Sequence, residues 1–361
     1  MAPNRLFYDA RRFDAGAGAM PPGSLLRVQN RESSPIAVLW FAVMLRTVRC
    51  LARSYTFAAG QALRLRTPGR TMRNTLSTLK KTLASGRKLS MLTCYDAGFA
   101  RVMDDAGVDC LLVGDSLGMV VQGHDSTLPV TVEDIVYHVG CLVRGSKKAW
   151  ILADLPFGSY NEGPAQALQA AVRVMKAGAQ MVKLEGGAEL VDTVRLLVQA
   201  GIPVCAHVGL LPQQVHAMGG FRVQGREQAQ ADRIVAHAQA LDAAGAAMMV
   251  IEGVPEPLAR RVCEATSMIT IGIGASVACD GQVLVMHDML GLTKSPARFV
   301  KDFTRDLPAD DATGSVLERA VRRYVQEVAE GRFPEAAHVY AATSTESAAY
   351  GGNPSNAAAG A

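Results

Sequence analysis

No Cys-x-x-Cys pair occurs among the seven cysteines, and their number is odd. Neither a disulfide framework nor a thiolate zinc site is expected. Several of them lie in apolar runs, where a free thiol behaves as a small hydrophobe, and a reducing compartment is the economical reading. Aromatic residues are scarce at 6%, and the charge excess is only +4. No apolar run is long enough to span a bilayer: the longest near the start, Ile36 to Leu45, falls well short of the ~20 residues needed. No Gly-x-Gly-x-x-Gly turn follows an early strand, which counts against a doubly wound dinucleotide fold. What is plentiful is apolar residue, 49% of 361 positions. That length and balance suit one large α/β domain or two medium ones, and exclude wholesale disorder.

The charge is unevenly placed. Residues 1–71 hold eleven arginines, no lysine, and only Asp9, Asp14 and Glu32 as acids. The remainder is therefore slightly acidic, with no nucleic-acid footprint and no membrane partner expected. The Arg-rich stretch 1–71 reads as an extension: a targeting leader of the organellar type, or a segment ahead of a native start at Met72. A cytoplasmic location follows from the second reading and a mitochondrial one from the first. Residues 72–340 read as a single catalytic domain. Residues 341–361, rich in Ser, Ala, Gly and Asn, read as a flexible tail.

From about residue 88 to 335, short β-branched runs alternate with longer Ala-rich stretches of helical period. Strands apolar on both faces indicate a parallel sheet covered by helices. Eight are expected: Ser90–Tyr95, Cys110–Gly114, Trp150–Ala153, Met181–Leu184, Val204–Ala206, Met248–Ile251, Ile269–Ile273 and Val283–Met286. Four helix-to-strand junctions repeat Ala-Gly-Val, Ala or Ile, at Gly107, Gly178, Gly201 and Gly245, where glycine closes the last helical turn. Eight strands in about 250 residues is the arithmetic of a (β/α)8 TIM barrel.

In a barrel the C-terminal strand ends converge on one mouth. Here those ends read Asp96, Asp115, Asp154, Glu185, His207, Glu252, Gly274 and His287-Asp288. Any one acid there could be a helix N-cap, and His207 alone could be a core histidine. Carboxylates at five strand ends would repel one another, so a cation is expected among them. Asp115, Asp154 and Glu185 offer hard oxygen ligands from three consecutive strands, which suits Mg²⁺ and less specifically Mn²⁺. Lys183, two residues before Glu185, should point to the same face, into the barrel. Among acids it should stay protonated as an electrostatic partner, ahead of any Schiff-base role. Glu252 ends an apolar strand, where its carboxylate could serve the mouth or be paired to Arg or Lys for structure. The Gly-rich connection from Ser116 to Val130, ahead of a capping-box start at Thr131, reads either as a lid or as an oligomer contact.

Several segments are familiar as a set. Val113–Gly118, Gly123–Thr131, Ala153–Tyr160, Val182–Gly187, Ala206–Leu210, Ile251-Glu252 and Asp280–Asp288 together resemble ketopantoate hydroxymethyltransferases over about residues 74 to 335. The resemblance implies an enzyme of pantothenate synthesis. It would move a one-carbon unit from 5,10-methylenetetrahydrofolate, as co-substrate, onto 3-methyl-2-oxobutanoate through a Mg²⁺-stabilised enolate. It implies Asp115, Asp154 and Glu185 at the metal, and Ser116 and Lys183, with Asp115 and Asp154, on the oxoacid. It further implies Glu252 as catalytic base, His207 in the substrate site with a role less defined, and assembly as a homodecamer. Two positions depart from the family pattern, Leu211 and Ser276, both in loops placed at the mouth. The rival readings are another metal-dependent enolate-forming barrel, a lyase or mutase of the phosphoenolpyruvate/isocitrate lyase type, and a non-catalytic barrel tethered by its basic leader.

Overall fold

A computed structural model describes residues 73–307 and 314–341. The readings of residues 1–71 and most of the tail lie outside these. Eight parallel strands close into a barrel in chain order, β1 to β8. They are β1 Leu89–Thr93, β2 Cys110–Val113, β3 Trp150–Asp154, β4 Met181–Glu185, β5 Val204–Gly209, β6 Met248–Glu252, β7 Ile269–Ile273 and β8 Gly281–Leu284. Every expected strand is present, most within a residue or two of its expected limits. The closing seam pairs Leu89 with Gly281 and Leu92 with Leu284. Tyr324, on the helix Val316–Ala329, donates its hydroxyl across that seam to the Met91 carbonyl at 2.9 Å and the Gln282 carbonyl at 2.8 Å.

Strand residues alternate between two apolar layers. Met91, Leu112, Leu152, Met181, Cys205, Val250, Ile271 and Val283 fill the barrel interior. Leu92, Leu111, Ile151, Val182, Ala206 and Ile251 face outward beneath the helices. The interior is therefore plugged with hydrocarbon lower down, and the next inward positions along the strands are Asp154, Lys183, Glu185, His207 and Glu252. Gly107 and Gly178 cap helices Ala97–Ala106 and Pro164–Ala177 at φ 88° and 115°, the left-handed region expected of them. The connection from β7 to β8 departs from the simple repeat: residues 274–280 carry no helix.

Asp104 shows how a turn between elements is fixed. Its carboxylate accepts from the Ser146 hydroxyl at 2.7 Å and from the N–H groups of Lys147, Lys148 and Ala149 at 2.8–3.1 Å. That cluster closes the turn leading into β3, and so sets the start of the strand that carries Asp154. Burial pushes the Asp104 carboxyl up, but the hydrogen bonds outweigh it and hold the group below its ordinary range. A folded carboxyl below its unfolded value adds stability above about pH 4 and loses it as pH falls through the folded value. Asp104→Ala is expected to cost about 3 kcal/mol in urea unfolding at neutral pH. The deficit should shrink towards pH 3; a deficit independent of pH would show that the charge is not what holds the turn.

Candidate active site

The strand ends enclose a cavity of about 410 Å³, with Asp115, Ser116, Asp154, Lys183, Glu185, His207 and Glu252 all in its wall. Every site residue expected from sequence is thus brought to one place. Asp96 is not among them: its carboxylate accepts from the N–H groups of Gly98 and Phe99 and caps the following helix. Asp96 lies three residues past the end of β1, directly ahead of the helix it caps, and capping wins over the mouth. Asp288 does reach the cavity wall. The departures Leu211 and Ser276 do not line it; Ser276 is buried, its hydroxyl donating to Glu256 at 2.7 Å.

Lys183 is the electrostatic centre. Its ammonium lies 2.8 Å from Asp154 Oδ1 and 3.5 Å from Glu185 Oε1, with the side chains of all three no more than 6% exposed. Adjacent register places the pair, since Asp154 on β3 sits beside Lys183 on β4. Burial pushes the lysine towards neutrality, but Asp154, Glu185 and Asp115 outweigh it and hold it well above its ordinary value. The inward orientation and protonated state expected of Lys183 are what the geometry gives.

The acids are held individually. Asp154 Oδ2 accepts from the Asp115 N–H at 2.9 Å. Burial raises Glu185, yet Lys183 and His207 lower it to about 2. His207 lies between two acids, Nδ1 at 3.5 Å from Glu185 and Nε2 at 3.2 Å from Glu252. Neither ring nitrogen is aligned for a hydrogen bond, so these are ion-pair contacts. Burial pushes the imidazole down, and the Glu185 and Glu252 carboxylates carry it up to about 9. A core histidine paired on both sides by acids is a charged one at neutral pH. Asp115 behaves differently. Burial first, then Asp154 and Glu185, drive its carboxyl well above the usual range. As it stands the cluster is short of positive charge.

Three residues escaped the sequence reading. Gln213 donates Nε2 to Asp115 Oδ2 at 2.8 Å, while its backbone N–H donates to Glu185 Oε2 at 3.0 Å. Tyr160 donates to Gln213 Oε1 at 2.5 Å. Tyr95 shares a hydrogen bond of 2.9 Å with the Ser116 hydroxyl. Gln213 follows Pro212 in a short turn after β5, and a polar residue at a strand exit was the one signal available for it.

Comparison with known proteins decides the family. A family model described as ketopantoate hydroxymethyltransferase matches residues 73–336. The chain belongs to the ketopantoate hydroxymethyltransferase family. Relatives named 3-methyl-2-oxobutanoate hydroxymethyltransferase include one from Thiobacillus denitrificans, 56% identical over 266 residues, covering 74% of this chain and 99% of the relative. Another, from Neisseria meningitidis, is 53% identical over 268 residues, covering 74% and 99%. Membership of the ketopantoate hydroxymethyltransferase family makes the chain a transferase and sets aside the lyase, mutase and non-catalytic readings. Solved structures similar to it include a phosphoenolpyruvate phosphomutase from Streptomyces platensis subsp. rosaceus, with TM-score 0.46, 14% identity, and coverage of 60% of this chain and 83% of that one. A 2,3-dimethylmalate lyase gives TM-score 0.43 and 20% identity, covering 55% and 70%. Among the described residues, no helix is long and apolar enough to cross a membrane.

Proposed function

We propose that this chain transfers the one-carbon unit of 5,10-methylenetetrahydrofolate, with water, to the β-carbon of 3-methyl-2-oxobutanoate, giving 2-dehydropantoate and tetrahydrofolate with Mg²⁺ as the metal. Family membership supports the reaction class. The observation that carries the site assignment is the convergence of Asp115, Asp154, Lys183, Glu185, His207 and Glu252 on one cavity.

The donor set fits a hard divalent cation. The oxygens are carboxylate, buried and short of positive charge at Asp115. Among the described residues no three His, Cys, Asp or Glu side chains are grouped so as to hold a metal ion by themselves, so water and substrate oxygens would have to complete the set. Asp115 and Asp154 would hold the ion. Glu185, already engaged on both oxygens by Lys183, His207 and the Gln213 N–H, would be the third acid. Such an ion, when bound, polarises the substrate carbonyl as a Lewis acid.

The chain's own groups do the rest. Glu252 is the proton acceptor: its side chain is 15% exposed against 1–2% for Glu185 and Asp154, so it is the freer of these acids to meet substrate. His207, charged and fixed by Glu185, lies 3.2 Å from Glu252 and holds its carboxylate in place. When the β-proton moves to Glu252, negative charge grows on the carbonyl oxygen, and Lys183 supplies a preorganised positive charge for it. The Ser116 hydroxyl, fixed by Tyr95, binds the oxoacid carboxylate.

The test follows the β-proton of 3-methyl-2-oxobutanoate in D₂O by NMR, with and without Mg²⁺ and methylenetetrahydrofolate. Metal-dependent exchange without folate, and 2-dehydropantoate only with it, is the expected result. No exchange by a folded, metal-loaded chain would overturn the reading.

A further inference from the structure

Residues 274–280, which join β7 to β8 without a helix, follow the helix Glu256–Ala265 and β7 in the chain. A second cavity, of about 390 Å³, is lined by Cys263, Thr270, Ala278 and Asp280 among others. Cys263, on the last turn of that helix, is half-buried in its wall. Cys279 is buried behind it, against Gly272 of β7. The two sulfurs are 3.6 Å apart. A disulfide has an S–S length of about 2.05 Å, so the pair needs to close by only about 1.5 Å, within the reach of side-chain torsions.

The remaining described cysteines form an internal contrast. Cys94, Cys110 and Cys205 are buried with no sulfur-to-sulfur hydrogen bond, and burial pushes their thiols up, to about 12 for Cys94 and Cys205. At Cys263 the hydrogen bond with Cys279 works the other way and holds the thiol below its ordinary range, while the same bond and burial raise Cys279. Thr270 Oγ1 lies 3.6 Å from the Cys263 sulfur, and the Lys88 ammonium, hydrogen-bonded to the Cys279 carbonyl at 2.5 Å, adds positive charge nearby. One sulfur faces the cavity and ionises first; the other waits behind it, protonated. That is the division of labour of an attacking and a resolving thiol.

We propose that Cys263 and Cys279 are a redox-active dithiol, a modification site separate from the acid cavity, oxidised by small-molecule disulfides. The Cys263 thiol gives its proton to solvent, and the thiolate attacks one sulfur of the disulfide RSSR. This forms a Cys263 mixed disulfide and expels RS⁻, which takes up a proton. Cys279 then loses its proton and attacks the Cys263 sulfur, expelling the second RS⁻. In sum the two protein thiols are oxidised to one disulfide and RSSR is reduced to two RSH.

The test treats the full reduced chain with oxidised glutathione, quenches with an alkylating agent, and maps the cysteines by mass spectrometry. The expected result is an intact mass with two alkyl adducts fewer than the alkylated reduced chain, a Cys263–Cys279 cross-linked peptide two hydrogens lighter than the two free peptides, and reversal by dithiothreitol. Cys279→Ala should instead retain one glutathione on Cys263. The proposal fails if both thiols are recovered alkylated, or if Cys141 alone is modified. It fails equally if wild-type Cys263 keeps its glutathione while Cys279 stays free. Should the Cys279 variant not fold, the wild-type map alone decides.

Discussion

Glu252→Gln is expected to leave a folded chain whose turnover is about 10²- to 10⁴-fold lower, the range associated with loss of a general base. The amide keeps the shape of the side chain but cannot accept the β-proton of the oxoacid. It also removes one of the two acids beside His207, leaving the imidazole paired to Glu185 alone. Proton exchange in D₂O should fall in parallel with overall transfer, because both need the same abstraction. Far-ultraviolet circular dichroism and the urea midpoint should change little, since Glu252 is the least buried partner of its cluster. If exchange persisted at the wild-type rate while transfer was lost, the base would have to be another group, and Glu252 would act in the later carbon–carbon step.

Lys183→Met is expected to destabilise the chain by about 3–5 kcal/mol, the cost of removing one partner of a buried ion cluster. Methionine fills most of the volume, so the loss measures charge more than packing. Without the ammonium, Asp154 and Glu185 face each other and Asp115, all of them buried. Against a total stability of about 5–15 kcal/mol, that loss should be plain in the urea midpoint. Lys183→Arg should restore little, because a planar, longer cation does not occupy the same point between two strands. A Met variant as stable as the wild type would mean that the acids shed their charge at low cost, and that the cluster does not depend on Lys183.

The barrel was legible because a parallel sheet buried on both faces leaves runs of apolar residues with few gaps. Where that signal thins, the limits drift. The expected eighth strand, Val283–Met286, begins at Gly281 in the structure, because Gly281 and Gln282 carry no hydropathic mark. Gln282 is buried through a side-chain hydrogen bond to the Ser276 carbonyl at 2.9 Å, a contact no periodicity announces. Six candidate site residues could be placed together for a geometric reason: strand ends in a barrel converge whatever lies between them. Gln213, Tyr95 and Tyr160 were not, since their partners lie 53 and 98, 21, and 25 and 53 residues away and depend on the finished packing. Asp96 shows the converse, a strand-end acid whose nearest unpaired N–H groups were those of its own helix.

The seam between β1 and β8 bears on how the chain is made. Met91 on β1 meets Val283 on β8, the Met286 N–H donates to the Thr93 hydroxyl across 193 positions, and Tyr324 reaches Met91 across 233. Loop closure over such distances is slow and follows the local βα units. On the ribosome, β1 therefore emerges early and keeps one unpaired edge through most of the synthesis of the barrel. An open apolar edge is the feature that recruits foreign strands. The nascent chain is most exposed to aggregation before β8 arrives, and that interval is set by translation speed, outside the reach of any contact in the finished barrel.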